Sequence, residues 1–329
     1  MQQLRLASRP QGKLRAAHFA LVEAPPPACD AAPLLLRPRY ASVDPYMRTR
    51  MHATGYDYIE RWDAGSVLSA WSLAEVEHSR HPDWQPGDWA IGHLPLQTSV
   101  AHDGAALRRL PSGDPPLAFL HPLGMTGFTA WLGMRVLGRP GPADTVLVSA
   151  AAGAVGSIAA QLACDAGARV IVSAGRADKR DWLSGLGLAT VLDHRRDDFA
   201  AQLADAAPEG ITLNFENVGG PAFAAAIEAM RPGGRVVVCG LISQYQQAEP
   251  RRAPPNLARL GERGVAVIPF VTPHFRQRHD EFLNEMTPRV QRGELAWRLD
   301  VVQGGLAALP EALIGLLAGA NLGKRIVAL

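Results

Sequence analysis

The sequence contains few cysteines and no apolar run of about 20 residues. Its 329 residues include only Cys29, Cys164 and Cys239, which are too widely separated to form a disulfide framework or a four-cysteine zinc site. Without a long apolar run the chain is not expected to span a membrane. The polar N-terminal residues also lack the apolar core of a signal peptide. We therefore expect a cytoplasmic protein.

An excess of charge of one sign is missing as well. The 33 lysines and arginines nearly balance the 31 aspartates and glutamates, for a net charge of +2. With no long basic run, nucleic acid is not an expected partner, and the pair Arg251-Arg252 is typical of a solvated loop. The ten histidines are scattered. The close pair His78 and His81 has no cysteine nearby, which favours a polar surface loop over a metal site.

The composition is that of an ordinary globular protein, and the length fits two domains. Proline and glycine interrupt the first third, between short apolar runs such as Phe19–Val22, Leu34–Leu36 and Trp89–Ile91. This pattern predicts an irregular, barrel-like β domain. We place it at residues 1–121, an α/β domain at 122–295, and a tail at 296–329 that returns to the first domain.

After residue 122 the pattern alternates strands with helices. Apolar strands on both sides of the intervening helices predict a doubly wound parallel sheet that is buried on both faces. The predicted strands are Thr145–Ser149, Ala168–Ala174, Ile211–Phe215, Arg235–Val238, Val265–Val271 and Arg325–Leu329, and the predicted helices are Ser157–Ala166, Asp178–Leu186 and Leu306–Leu317.

A glycine-rich turn joins the first of these strands to the first helix. It follows the pattern G-x-G-x-x-G with Ala151 in place of the first glycine. At Gly153 a pyrophosphate could approach the backbone, and Gly156 would let helix and strand pack closely. The helix N-terminus would add N–H groups and a partial positive charge. This context predicts dinucleotide binding, with a purely structural turn as the alternative.

The residues that follow the second strand favour NADP over NAD. An NAD site normally has an acidic residue there, about 20 residues after the turn, to bind the ribose 2′-hydroxyl. Here the strand ends without a carboxylate, and Arg176 and Lys179 follow. Either could pair with a 2′-phosphate. The alternative is that both are solvated residues at a helix start, where we expect Asp178 to cap the helix.

With these segments in place, the chain resembles the zinc-independent medium-chain dehydrogenase/reductase superfamily. It is most similar to the branch of leukotriene/prostaglandin reductases, plant alkenal double-bond reductases and bacterial curcumin reductase. The resemblance implies a Rossmann domain inserted into a GroES-like β-barrel domain, and a homodimer. It is carried by residues 42–48 (SVDPYMR), 124–130 (GMTGFTA), 150–157 (AAAGAVGS), 216–220 (ENVGG), 239–245 (CGLISQY) and 321–324 (NLGK).

The resemblance also implies a set of NADP(H) contacts. The pyrophosphate would lie on the glycine turn and the 2′-phosphate at Lys179, while His194, with Arg195 beside it, replaces a tyrosine that the family often has there. Asn217 follows the strand that meets the cofactor. The complete set is Gly153, Ala154, Val155, Gly156, Arg176, Lys179, His194, Asn217, Cys239, Gly240, Leu241, Ile242, Ser243, Tyr245 and, from the tail, Asn321.

The reaction implied by the resemblance is reduction of a carbon–carbon double bond without zinc. NADPH gives hydride to the β-carbon of a small α,β-unsaturated ketone or aldehyde, and the enolate is then protonated at the α-carbon. A hydrogen-bond donor would stabilise the enolate oxygen. Tyr245, in a loop after a sheet strand, is our candidate. The alternative for Tyr245 is a partly exposed loop tyrosine.

Two aromatic residues are expected to line the substrate pocket. Tyr46 is a candidate wall, with a core tyrosine whose hydroxyl is satisfied as the alternative. Trp71 stands where plant double-bond reductases carry a pocket tyrosine, and either favours bulky aromatic or terpenoid enones or is a core tryptophan. A further aromatic group is expected to form a mobile lid: His52, Tyr56, Tyr58 and Trp62.

Two rival functions remain open at this point. A quinone reductase would bind the same cofactor, and the sequence separates it poorly from an enone reductase. A non-catalytic NADPH-binding protein that senses redox state or serves as a structural partner would bind the cofactor without turnover.

Overall fold

The structure is a computed structural model that describes residues 1–28, 31–54, 58–114, 116–247 and 253–329. The predictions for Tyr56 and for Arg251-Arg252 lie outside these ranges. The strands are β1 (Gln2–Leu6), β2 (Phe19–Glu23), β3 (Leu34–Ser42), β4 (Ser69–Ser79), β5 (Trp89–Pro95), β6 (Val100–His102), β7 (Arg108–Leu110), β8 (Thr145–Val148), β9 (Arg169–Ser173), β10 (Thr190–Leu192), β11 (Ile211–Glu216), β12 (Met230–Val238), β13 (Ala266–Pro269), β14 (Leu299–Val302) and β15 (Lys324–Ala328).

The helices are mostly short. A π-helical segment, Leu132–Gly138, directly follows the helix that ends at Trp131. The α-helices are α1 (Tyr46–Thr49), α2 (Met125–Trp131), α3 (Ala154–Asp165), α4 (Ala177–Gly185), α5 (Phe199–Ala206), α6 (Gly220–Ala229), α7 (Ala258–Glu262), α8 (His279–Gln291) and α9 (Leu309–Leu317). No helix among the described residues is both long and apolar enough to cross a membrane.

The chain divides into two units. Residues 1–120 and 299–329 form the first, and residues 121–298 form the second. In the first unit a seven-stranded sheet has the order β14-β15-β3-β4-β5-β7, with β6 on β3. The C-terminal strand β15 runs antiparallel to β3, with Ile326 opposite Ser42. The tail is therefore an integral part of the first sheet.

A buried ion pair connects the two stretches of the first unit. Lys324 begins β15, Asp44 follows β3, and their side chains are only 2% and 3% exposed. The Lys324 Nζ lies 2.5 Å from the Asp44 Oδ1 and donates also to the Val43 carbonyl at 3.0 Å. The Ser42 hydroxyl donates to the other carboxylate oxygen of Asp44. The negative charge of Asp44 is thus neutralised where it is buried.

The second unit contains the predicted parallel sheet, with strand order β10-β9-β8-β11-β12-β13. All five neighbouring pairs are parallel. In the centre, Val146, Leu147 and Val148 of β8 are all buried, as expected for a strand covered on both faces. The order reverses between β8 and β11, so the crevice at the carboxyl ends of these strands is the expected ligand position.

Candidate cofactor site

The glycine turn between β8 and α3 is tightly closed. Ala150 has a left-handed φ of 50°, and the Ala151 N–H donates to the Ser173 carbonyl of β9 at 3.1 Å. A Cβ added at Gly156 would lie 2.5 Å from the Ala150 carbonyl oxygen, and one at Gly153 would lie 3.2 Å from it. Gly156 is therefore required for the close approach of α3 to the turn.

The helix after this turn offers its first N–H groups to an anion. It begins at Ala154, three residues earlier than predicted, because Gly153 is already the extended residue before the helix. No side chain of the described chain caps α3. Open N–H groups on a glycine turn at the switch point of the sheet are the arrangement that fits a dinucleotide pyrophosphate.

Cationic side chains gather at the carboxyl ends of β9 and β10. Arg180 donates to the Gly175 carbonyl at 2.6 Å and to Asp193 at 2.8 Å. A Cβ at Gly175 would lie 2.8 Å from the Arg195 side chain and 3.2 Å from the His194 ring. Gly175 thereby lets Arg195 and His194 lie against the end of β9. This cluster lies on the half of the sheet that normally receives the adenosine part of a dinucleotide.

The predicted 2′-phosphate ligands differ in their surroundings. Arg176 makes a two-point ion pair with Asp178, at 2.9 and 2.5 Å. The prediction that Asp178 caps α4 is wrong, because Arg176 occupies the cap position and Asp178 lies in the first turn. Lys179 is half-buried on α4. Burial lowers the pKa of His194; the Asp193 charge opposes this, and the charges of Arg195, Lys179 and Arg180 add to the decrease. His194 is therefore neutral at pH 7, so the cluster's positive charge comes from lysine and arginine.

A hydrogen-bonded network joins the ends of β8 and β11. The Asn217 side chain donates to the Ser149 carbonyl at 2.7 Å, and the Asn217 N–H donates to the Ser149 hydroxyl oxygen at 2.8 Å. The Ser149 hydroxyl lies 3.2 Å from Glu216 Oε1. Asn217 is thus held at the switch point of the sheet, on the path from the glycine turn to β11.

Glu216 is the centre of this network. It is 1% exposed, and its Oε1 accepts from the N–H groups of Val218 at 2.6 Å and Gly219 at 2.8 Å. Its Oε2 accepts from the Asn214 amide at 3.1 Å. Burial raises the pKa of the Glu216 carboxyl, and these hydrogen bonds oppose that rise. Glu216 begins the 216–220 segment that carries the family resemblance, but neither it nor Ser149 was predicted as a site residue.

The loop after β12 packs onto the loop after β11. The N–H groups of Cys239 and Gly240 donate to the Glu216 carbonyl at 2.9 and 3.1 Å, and the Ile242 N–H donates to the Asn217 carbonyl at 3.2 Å. The Ser243 N–H donates a further hydrogen bond to the Val218 carbonyl at 3.0 Å. The predicted nicotinamide segment and Asn217 are therefore held together by main-chain hydrogen bonds.

The Tyr245 hydroxyl is directed back at the end of β12. Tyr245 follows a short 3₁₀ turn, Ile242–Gln244, and is half-buried. A Cβ at Gly240 would lie only 2.9 Å from the Tyr245 hydroxyl oxygen and 3.7 Å from the Asn217 carbonyl oxygen. The hydroxyl thus occupies space that exists because residue 240 has no side chain.

Three predicted site residues belong to the first unit. The Tyr46 hydroxyl is buried and has no hydrogen-bond partner in the described chain, so the alternative of a satisfied core tyrosine is wrong. Trp71 is half-buried and meets His93 edge-on, with 6.1 Å between ring centroids. Asn321 is 6% exposed and its amide donates to the Gly323 carbonyl at 2.9 Å.

Trp62, one of the aromatic residues predicted to form a mobile lid, belongs to the core of the first unit instead. Trp62 is 3% exposed and packs in the core of the first unit, under the Arg50 guanidinium at 4.3 Å. Arg50 also lies 3.2 Å from His93 Nε2 and 3.0 Å from the Ser69 hydroxyl. Because arginine can only donate, His93 Nε2 is an acceptor, and burial with the Arg50 charge lowers the pKa of His93 to about 4. No sequence motif marked Arg50 or His93 as part of the site.

Comparison with known proteins gives the same architecture. Residues 2–110 match the family model described as the N-terminal domain of oxidoreductase, and residues 154–287 match the one described as zinc-binding dehydrogenase. In the described ranges, no group of three or more histidine, cysteine, aspartate or glutamate side chains is arranged to hold a metal ion.

Two relatives and one solved structure are similar along most of the chain. The NADPH-dependent curcumin reductase of Escherichia coli (strain K12) is 37% identical, over 98% of this chain and 95% of the relative. A 2-alkenal reductase (NADP(+)-dependent) of Nicotiana tabacum is 35% identical, over 88% and 84%. The crystal structure of CurA from Vibrio vulnificus in complex with NADPH is 36% identical, with a TM-score of 0.94 over 100% and 99%.

Proposed function

The chain belongs to the zinc-independent medium-chain dehydrogenase/reductases, in the branch of curcumin and alkenal reductases, and from this we propose that it reduces the double bond of α,β-unsaturated ketones and aldehydes. It is an NADPH-dependent oxidoreductase of that type. When bound, NADPH supplies a hydride for the β-carbon of the enone. The protein then has to orient the enone, stabilise the enolate oxygen and allow protonation at the α-carbon.

Tyr245 is the residue that we assign to the enolate oxygen. The observation that carries this assignment is the position of its hydroxyl, packed on Gly240 beside the Asn217 main chain, at the carboxyl ends of β11 and β12. A neutral phenol donates one hydrogen bond and needs no neighbouring base to do so. A donor fixed before the reaction stabilises an oxyanion more effectively than water, which must reorient.

The preference for NADPH over NADH is assigned to the cationic cluster after β9 and β10. Lys179 and Arg195 would meet the 2′-phosphate, and His194 is neutral. Arg176 and Arg195 are each ion-paired, with Asp178 and Asp193, so the phosphate would compete with these carboxylates for both arginines. Charged hydrogen bonds to a phosphate are stronger than those to the ribose hydroxyl of NADH.

Tyr46 and Trp71 are the residues that we assign to the substrate pocket. Tyr46 offers an unpaired hydroxyl, and Trp71 offers an apolar wall for an aromatic or terpenoid enone.

The test follows the loss of reduced-nicotinamide absorbance with NADPH, then NADH, against enones, enals and quinones. We expect turnover of enones with NADPH preferred, and a 10²–10³-fold lower kcat for Tyr245→Phe, the cost of losing one oxyanion donor. Tyr40→Phe, a half-buried tyrosine of β3, is the control and should keep its kcat.

Other outcomes would assign the protein differently. Reduction of quinones alone would replace the enone reductase with a quinone reductase. Tight NADPH binding without turnover of any substrate in the panel would contradict the proposal and favour the non-catalytic alternative.

The homodimer is likewise a proposal, supported by the edge of the six-stranded sheet. Strand β13 forms this edge, and its Val267 is 45% exposed. A two-fold axis can pair an exposed edge strand with its own copy. Light scattering after size-exclusion chromatography should give a dimer, and Val267→Lys should give a monomer, whereas Leu257→Lys, at another exposed apolar residue, should not. A dimer that survives Val267→Lys would exclude this interface. A cytoplasmic location stays a prediction.

A further inference from the structure

Glu216 is a buried anion without a counter-cation. Its carboxylate receives four hydrogen bonds, from the Val218 and Gly219 N–H groups, the Asn214 amide and the Ser149 hydroxyl. All four partners are neutral donors, and in this arrangement they stabilise the ionised carboxylate against the effect of burial. Among the partners of its carboxylate in the described chain there is no lysine or arginine. In its ionised form the site carries one net negative charge in surroundings of low dielectric constant.

Glu216 lies on the half of the parallel sheet that is expected to receive the nicotinamide part of the cofactor. In a sheet of this strand order the first three strands receive the adenosine half and the last three the nicotinamide half. Glu216 ends β11, the first strand of the second half, and the loop from Cys239 is bonded to its main-chain carbonyl. The charge of Glu216 thus lies on the nicotinamide half.

We propose that the Glu216 carboxylate sets the redox preference of the bound cofactor, by stabilising oxidised NADP⁺ relative to NADPH. The oxidised nicotinamide ring carries a positive charge that the reduced ring lacks. A fixed anion on this half of the site lowers the energy of the oxidised form, and of the positive charge that develops as hydride leaves. Glu216 would act through this field and through the loop that it positions. The inference rests on NADPH binding in the proposed orientation and does not depend on which substrate accepts the hydride.

The variant Glu216→Gln removes the charge and can keep the hydrogen bonds. A glutamine oxygen at the Oε1 position can accept from Val218, Gly219 and Ser149. The glutamine amide would then face the Asn214 amide, but the Asn214 Oδ1 is buried without a partner in the described chain. Rotation of the Asn214 side chain would let that oxygen accept from the new amide. The substitution is therefore a test of charge with little change of shape.

The experiment measures the Kd of NADP⁺ and the Kd of NADPH separately, by calorimetry, in the absence of substrate. For Glu216→Gln we expect the ratio Kd(NADP⁺)/Kd(NADPH) to rise about tenfold, mostly through weaker binding of NADP⁺. The control is Glu209→Gln, which removes an exposed charge just before β11, at the opposite end of the same strand. Its ratio should match that of the wild type.

A second variant separates charge from loop geometry. Ser149→Ala removes one donor and keeps the charge, so it should weaken both cofactor forms by a similar factor and leave the ratio unchanged. It also tests the proposal if Glu216→Gln does not fold, because a changed ratio in Ser149→Ala would contradict it. Equal loss of both affinities in Glu216→Gln, or no loss, would overturn the proposal. Neither result requires turnover, so failure of the enone reductase assignment would be recognised separately.

Discussion

The two units each bury a carboxylate at the end of a strand, and they compensate it in opposite ways. In the first unit Asp44 meets the Lys324 ammonium, and the pair carries no net charge. In the second unit Glu216 meets only neutral donors, so no cation compensates its carboxylate. A neutralised pair clamps strands together and produces little field beyond itself, whereas an unneutralised anion acts on any charge that binds nearby. Burial alone therefore does not distinguish a structural carboxylate from a functional one.

The largest expected effect comes from breaking the pair in the first unit. Lys324→Met leaves Asp44 buried without its cation, and we expect the free energy of unfolding to fall by about 3–5 kcal/mol. Urea denaturation followed by circular dichroism measures it. Arg37→Met, in the exposed Arg37–Glu77 pair of the same sheet, should change it by less than about 0.5 kcal/mol. Equal losses for both variants would remove the distinction between buried and exposed pairs.

In the second unit, removing a charged ligand of the cofactor should lower its affinity for NADPH. Lys179→Ala removes a charged ligand for the 2′-phosphate, and we expect NADPH to bind about 10–100-fold more weakly, the equivalent of about 1.5–3 kcal/mol. The Kd of NADH should not change, because NADH has no 2′-phosphate. Arg169→Ala, at the amino end of β9, is the matched control. A parallel loss of NADH affinity would point to damage of α4 rather than to a phosphate ligand.

A smaller effect is expected for the stability of Glu216→Gln. The hydrogen bonds can be retained through rotation of Asn214, and loss of a buried charge removes a desolvation cost. We therefore expect the free energy of unfolding to stay within about 1 kcal/mol of the wild type. If the same urea experiment gave a loss as large as that of Lys324→Met, Glu216 would have to be regarded as a structural clamp like Asp44.

The smallest expected effect is on the reactivity of a thiol. Burial raises the pKa of Cys239 to about 12, and the Glu216 charge contributes to the rise. At pH 8, alkylation of Cys239 should be far slower than that of an ordinary cysteine with a pKa of about 8.5. Glu216→Gln should accelerate it by a few fold, as read by mass spectrometry of the Cys239 peptide. An unchanged rate would mean that burial alone sets the pKa of Cys239.

Much of the second unit could be predicted from sequence because its signals are local. Short apolar strands and the Gly153–Gly156 turn each occupy a few consecutive residues. Helix α6 escaped prediction because its alanine-rich sequence has little contrast between faces. It starts at Gly220, where Gly219 and Gly220 have left-handed φ angles of 80° and 67°. Helix α5 was not predicted either, because only two large side chains, Phe199 and Leu203, mark its buried face in the sequence.

The parts of the site that escaped prediction depend on residues far apart in the chain. Glu216 acquires its role from Ser149, 67 residues away, and a pattern of neighbours does not reveal that contact. The arginine–histidine contact of Arg50 and His93 spans 43 residues. For Trp62 the neighbours in the sequence gave a wrong prediction. The aromatic residues around it suggest a lid, but the Arg50 guanidinium from a neighbouring segment covers its ring.

The ion pair of the first unit also has a consequence for the order in which the protein matures on the ribosome. Asp44 is synthesised 280 residues before Lys324, and all of residues 121–298 emerge between them. Until the last strand appears, the nascent β3–β4 sheet has no cation for its buried carboxylate and no partner for one edge. The inserted unit, whose contacts lie within its own continuous stretch, can fold in that interval. The unit whose synthesis begins first is therefore completed last.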